Sequence, residues 1–168
     1  MTAQLNVKSL QIAVLACTLS LLSACGYHLR GTLDVAADKA QLSLQSEHAD
    51  PMLRHALHRS TKDNGIHQNA ASSNLLTIQN CRFERDSVSL DRSARVDEYS
   101  LTLKVRYTLK DIDENAEKTV TALVERVYSY DADAAAAKDE QESLLRQEMY
   151  NAMATRIMRS YLMFDAPK

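Results

Sequence analysis

The side chains able to react or to bind a metal are few: three cysteines, five histidines and scattered carboxylates among 168 residues. Cys25 is the most distinctive, because it closes an apolar run directly behind Ser23 and Ala24, small residues that suit a peptidase pocket. Cys81 lies in a strand-like stretch and lacks the neighbouring base and oxyanion donor that a nucleophile needs. His55 and His58 stand three apart with His48 nearby, but a zinc site takes three or four ligands with supporting partners. Asp97 and Glu98 are adjacent in a strand pattern, so they face opposite sides and cannot act as an acid–base pair. The three glycines, Gly26, Gly31 and Gly65, leave no phosphate-cradling loop and no G-x-S-x-G elbow. These absences argue against an enzyme, with no cofactor and no metal expected. What remains is a set of cationic side chains suited to binding.

Around Cys25 the first 24 residues have the three parts of an export signal: polar Met1–Ser9 with Lys8, apolar Leu10–Leu22, and the small pair. The apolar run is shorter than the roughly 20 residues a bilayer span requires. Leu22-Ser23-Ala24-Cys25 resembles the lipobox of bacterial lipoproteins. That resemblance implies a cleaved signal peptide (1–24) and a mature chain beginning at Cys25, whose thiol and new amine carry fatty acyl chains. Cys81 is then the sole thiol left, so an intrachain disulfide is ruled out and stability rests on the core. All 22 acidic residues and 19 of the 20 basic ones follow residue 24, which makes the mature chain mildly acidic. General nucleic-acid binding is disfavoured, since it depends on neutralising phosphates. An anionic ligand must therefore meet a local basic patch.

The elements that position such a patch follow from periodicity. Residues 25–39 read as a lipid-anchored tether, residues 40–164 as the folded domain and 165–168 as a short tail. Gln41–Gln45 alternates as a short half-buried strand. Asp50-Pro51 marks a helix start, Leu53, Ala56 and Leu57 share a face, and Asn64-Gly65 supplies a left-handed stop. Ile66–Asn74 is a polar connector; Leu75–Glu84 and Ser87–Leu90 read as one interrupted strand or two. Tyr99–Lys110 has a sustained period of two, with tyrosine, leucine and valine on one face and Lys104, Arg106 and Lys110 on the other. Asp111–Lys118 reads as a hairpin connection, and Val120–Tyr130 as a further strand with Arg126 on its apolar side. A long helix runs from Ala134 to about Leu162, with Asp131 or Asp133 as its cap, a Glu142–Arg146 pair, and Leu145, Met149, Met153, Ile157 and Tyr161 along one row. Strands with one dry face need a cover. The expected fold is a two-layer α+β sandwich, two helices packed on a mostly antiparallel four-stranded sheet.

Several stretches together resemble the LPS-assembly lipoprotein LptE family. They are Cys25-Gly26-Tyr27-His28-Leu29-Arg30-Gly31, the helix ending Asn64-Gly65-Ile66, Asp97-Glu98-Tyr99-Ser100-Leu101-Thr102-Leu103, Arg126-Val127-Tyr128-Ser129-Tyr130 and Ala136-Ala137-Lys138-Asp139-Glu140-Gln141-Glu142. The resemblance implies an outer-membrane location, held through N-terminal acyl chains, with Gly26 consistent with it. It also implies a partner, the LptD β-barrel, which such proteins plug and help to assemble, and a ligand, lipopolysaccharide. Carried over by position, the ligand-binding residues are Arg92, in the hairpin before the Glu-Tyr strand, and Lys138, opening the last helix. Cationic donors complement phosphates and acidic sugars, and arginine adds a planar fork. Arg85, Arg95, Lys104, Arg106 and Lys110 are near in sequence and could extend the patch. The competing expectation is an accessory lipoprotein of another envelope lipid-transport system.

Overall fold

The computed structural model describes residues 35–90, 92, 95–130 and 135–164. Cys25, the leader and the proposed caps Asp131 and Asp133 lie outside them. The chain runs β1 (Gln41–Gln45), α1 (Pro51–Asp63), β2 (His67–Gln68), β3 (Asn74–Leu90), β4 (Val96–Asp111), β5 (Ala116–Ser129) and α2 (Ala135–Leu162). Helix α1 is closed at both ends by its own sequence. Asp50 Oδ1 accepts from the Met52 amide at 2.8 Å, and Pro51 occupies the first helical position, where no N–H is needed. At the other end Gly65 sits at φ +70°; its amide donates to Lys62 O and that of Ile66 to Thr61 O, the paired bonds of a Schellman stop. Among the described residues no helix is long and apolar enough to cross a membrane.

The sheet has five strands in the order β2-β1-β3-β4-β5, one more than the four read from sequence. The extra strand, His67–Gln68, is too short to show a period. Strand β1 pairs in parallel with β2 and β3, as the crossover through α1 requires, and β3, β4 and β5 are antiparallel. The two segments around Asp86 form one 17-residue strand, interrupted by bulges. At the first bulge, Gln79 is skipped between the Ile78–Tyr107 and Asn80–Arg106 pairs. This shifts the alternation by one: Leu76 and Ile78 face the core before it, and Cys81, Phe83 and Arg85 take that face after it. Gln79 instead bonds Thr108 Oγ1 at 2.8 Å on the opposite face. The β4–β5 turn needs no glycine, because Asn115 takes the left-handed position at φ 49° and Asp111 Oδ1 accepts from the Asp113 and Glu114 amides.

Both helices cover one face of the sheet. Met149, Met153, Ile157 and Tyr161 are buried at four-residue spacing, and a second row, Tyr150, Ala154 and Met158, is buried beside it. The broad face follows from position, since α2 packs on both α1 and the sheet. Leu101, Leu103, Val105, Tyr107 and Leu109 of β4 complete the core. At the end where the chain enters the domain, Ala37–Lys39 forms a 3₁₀ turn and Lys39 is buried. Its Nζ lies 3.1 Å from Asn74 Oδ1 and 3.5 Å from Asp111 Oδ2, and the Tyr161 hydroxyl bonds Lys39 O at 2.9 Å. The last residues read as tether are thus docked onto the start of β3, the end of β4 and the end of α2.

Candidate ligand-binding site

At the opposite end of the sheet, β3 and β4 continue toward the turn that carries Arg92, with the first turns of α2 alongside. Here the register that placed leucines under the helices places an arginine and tyrosines. Arg85 lies with its Cζ 3.8 Å over the Tyr99 ring and 5.9 Å from that of Tyr130, while Tyr99 stacks on Tyr128 at 5.9 Å and meets Tyr130 edge-on at 5.2 Å. Glu142 Oε2 accepts from Arg85 Nη1 at 3.0 Å and from the Tyr128 hydroxyl at 2.5 Å. Partial burial opposes the charge on Arg85, but the Tyr99 hydroxyl and the Glu142 carboxylate outweigh it and hold the guanidinium more firmly protonated. Burial and the bond to Glu142 push the Tyr128 phenol well above its ordinary range, so it remains a donor.

Lys138 precedes Glu142 by one helical turn, on the same side of α2, and is half-buried with a 3.2 Å bond to Gln141 Oε1. The Arg85–Glu142 contact therefore ties the lysine's end of α2 to the β3–β4 hairpin. Arg92 is exposed in the hairpin turn, and Arg95 lies just before β4. The other cations do not extend this patch. Lys104 and Arg106 occupy the open face of the sheet, away from the helices, and Lys110 pairs with Glu117 at 3.8 Å near the far turn. Between them and the hairpin turn the open face carries acids: Glu84 and Asp86 on β3, Glu98 on β4 and Glu125 on β5. Nearness in sequence could not reveal this, because the alternation sends Arg85 and Lys104 to opposite faces.

The Glu142–Arg146 pair expected from helical spacing does not form. Glu142 turns to Arg85, and Arg146 instead lies 4.2 Å over the Phe83 ring. The tyrosine enclosure of Arg85 leaves only a faint trace in the sequence, Tyr99, Tyr128 and Tyr130 on the apolar phase of paired strands. Elsewhere, Arg126 meets Glu148 at 3.7 Å. Burial pushes the half-buried Cys81 thiol up, which keeps it protonated. His55 Nδ1 lies 3.2 Å from Arg59, and His58 Nδ1 2.7 Å from Gln68; among the described residues no three metal-binding side chains converge.

A cationic, tyrosine-walled end of this kind can recognise an anion. Comparison with known proteins narrows the reading. The sequence profile described as "LptE: Lipopolysaccharide-assembly" matches residues 31–160. The chain belongs to the LptE family. It is similar to the LPS-assembly lipoprotein LptE of Pectobacterium atrosepticum, 27% identical over 156 residues, covering 89% of this chain and 83% of that protein. The LPS-assembly lipoprotein LptE of Photorhabdus laumondii is 25% identical over 143 residues, covering 83% and 78%. Among solved structures, the rare lipoprotein B of Shewanella oneidensis matches with a TM-score of 0.64 at 27% identity, over 71% of this chain and 92% of that one. The family's fold is thus the α+β sandwich described above.

Proposed function

We propose that this chain is an outer-membrane lipoprotein of lipopolysaccharide assembly, anchored through acyl groups on Cys25. In this reading it sits as a plug within the LptD β-barrel, assists the barrel's assembly, and binds lipopolysaccharide on its way to the cell surface. The ligand is taken at the hairpin end by Arg92 and Lys138, with Arg85 and Arg95 beside them. The single observation that carries the binding site is the Arg85–Glu142 ion pair, which brings Lys138's end of α2 to the strands leading into Arg92's turn. Family membership and the names of its relatives support the wider role. The work is binding and chaperoning, without covalent chemistry.

Two measurements test this. The lipidated protein, pulled down from outer membrane, should bring a β-barrel partner and bound lipopolysaccharide, both identified by mass spectrometry. Arg92→Glu and Lys138→Glu should weaken lipopolysaccharide binding more than barrel association. Recovery of transporter subunits without a barrel would favour an accessory role in another lipid-transport system. Normal ligand binding by both variants would displace the site.

A further inference from the structure

The open face of the sheet holds a second cationic feature, separate from the hairpin end. Asn80, Arg82, Lys104, Arg106 and Thr121 line a shallow groove of about 340 Å³. Arg82 and Lys104 are direct cross-strand partners, and Arg106 is the next residue of β4 on that face. Like charges so placed destabilise a sheet. The neighbouring acids relieve them only in part: Glu84 meets Arg82 at 3.4 Å with both of those side chains largely exposed, and the Glu125 carboxylate is directed toward Ser100, whose Oγ donates to it at 2.8 Å. Among the described residues the side chains of Lys104 and Arg106 have no hydrogen bond or ion pair. Three cations over one concavity, with an amide and a hydroxyl at its rim, form a site of net positive charge in which only Arg82 has an acidic partner.

We infer that this groove is a second anion site, which takes a phosphate-bearing saccharide headgroup of the glycolipid while the hairpin end engages another part of it. The inference rests on the reading that the chain handles an anionic glycolipid. A dianionic phosphate suits three cations better than a single carboxylate does, because two arginine forks can each supply parallel N–H donors to it and Lys104 adds a point charge. Asn80 and Thr121 provide neutral partners for sugar hydroxyls. The acids Glu84, Asp86, Glu98 and Glu125 separate the groove from the hairpin turn, so the two sites bind distinct groups.

The test uses the full lipidated protein in detergent, titrated at low salt with lipopolysaccharide and with phosphatase-treated lipopolysaccharide. The variant is Lys104→Gln combined with Arg106→Gln; both positions are exposed, and circular dichroism checks the fold. The expected result is about tenfold weaker binding of intact ligand, with little change for the dephosphorylated form. Unchanged affinity for intact ligand overturns the inference while leaving the hairpin site standing. The opposite pattern, loss here but none in Arg92→Glu with Lys138→Glu, sinks the hairpin site and keeps this one. Displacement of lipopolysaccharide from the groove by 1 mM inorganic phosphate would make it a free-phosphate site and overturn the headgroup assignment. Retained ligand binding with loss of the barrel in pull-downs would identify an acidic protein segment as the occupant instead.

Discussion

Arg85 of β3 and Glu142 of α2 meet at 3.0 Å, with the Tyr128 hydroxyl bonded to the same carboxylate oxygen. Glu142 is the more enclosed partner, its side chain 18% exposed against 35% for Arg85. Replacing it removes the acceptor shared by two donors and releases the start of α2 from the hairpin. Glu142→Ala should cost about 1–2 kcal/mol, the usual scale for a hydrogen bond to a charged group, reduced for partial exposure. Urea unfolding of Glu142→Ala, Tyr128→Phe and the double variant should show coupling, because both side chains act through one oxygen. Additive losses would mean the contact contributes no pairwise stabilisation.

At the other end of the domain the buried cation is Lys39, held by Asn74 and Asp111 and lying 5.6 Å from the Phe164 ring centroid. Lys39→Ala leaves Asp111 facing an emptied, largely enclosed site. A loss of about 2–4 kcal/mol is expected, as for breaking one side of a buried pair. Lys39→Met with Asp111→Asn should recover part of it, since neither remaining group is then charged. A Lys39→Ala variant unfolding within 0.5 kcal/mol of the parent would show that this turn is not part of the cooperative domain.

What the sequence made legible follows a physical divide. Helix α1 was readable at both ends because its stop signals are local: a capping aspartate, a proline and a left-handed glycine. Strand β4 was readable because its alternation runs without a break from Tyr99 to Lys110. Strand β3 was harder, since the bulge at Gln79 reverses its phase and makes one strand look like two. The same reversal hid the candidate site: it turned Arg85 toward the helices and left Arg82 on the open face. Lys39 gave no local signal either. Its burial depends on Asp111, 72 positions away, and pairing over that distance is not encoded in any window of residues.

The helix stop offers a cleaner backbone test. Gly65 adopts φ +70°, and a β-carbon built there meets nothing within 4 Å. Only conformational strain should register on substitution, with no clash to confuse it. Gly65→Ala should cost about 1 kcal/mol and Gly65→Asn less, because asparagine tolerates the left-handed region. Thermal unfolding of the two variants checks the order; equal losses would point to an effect other than strain.

Three buried phenols predict an alkaline limit to stability. Burial raises Tyr128, Tyr150 and Tyr161 above the ordinary phenol value, Tyr150 to about 12. Below about pH 10 the folded and unfolded chains hold the same phenolic protons, and the stability is fully present. Above it the unfolded chain ionises first, so it binds fewer protons and stability falls by roughly 1.4 kcal/mol per pH unit for each such tyrosine. For Tyr150 the decline ends near its folded value of about 12. The hydroxyls separate at neutral pH. Tyr161 Oη lies 2.9 Å from Lys39 O and 3.1 Å from Gln41 O, whereas the buried Tyr150 Oη has the Arg146 guanidinium near it, which draws its pKa back down, but makes no hydrogen bond of good geometry among the described residues. Tyr161→Phe should therefore cost about 1 kcal/mol, and Tyr150→Phe should be neutral or stabilising while making the alkaline decline shallower. Urea midpoints of both variants at pH 7 and pH 11 decide it. A loss from Tyr150→Phe at pH 7 as large as that from Tyr161→Phe would show that its hydroxyl is bonded after all.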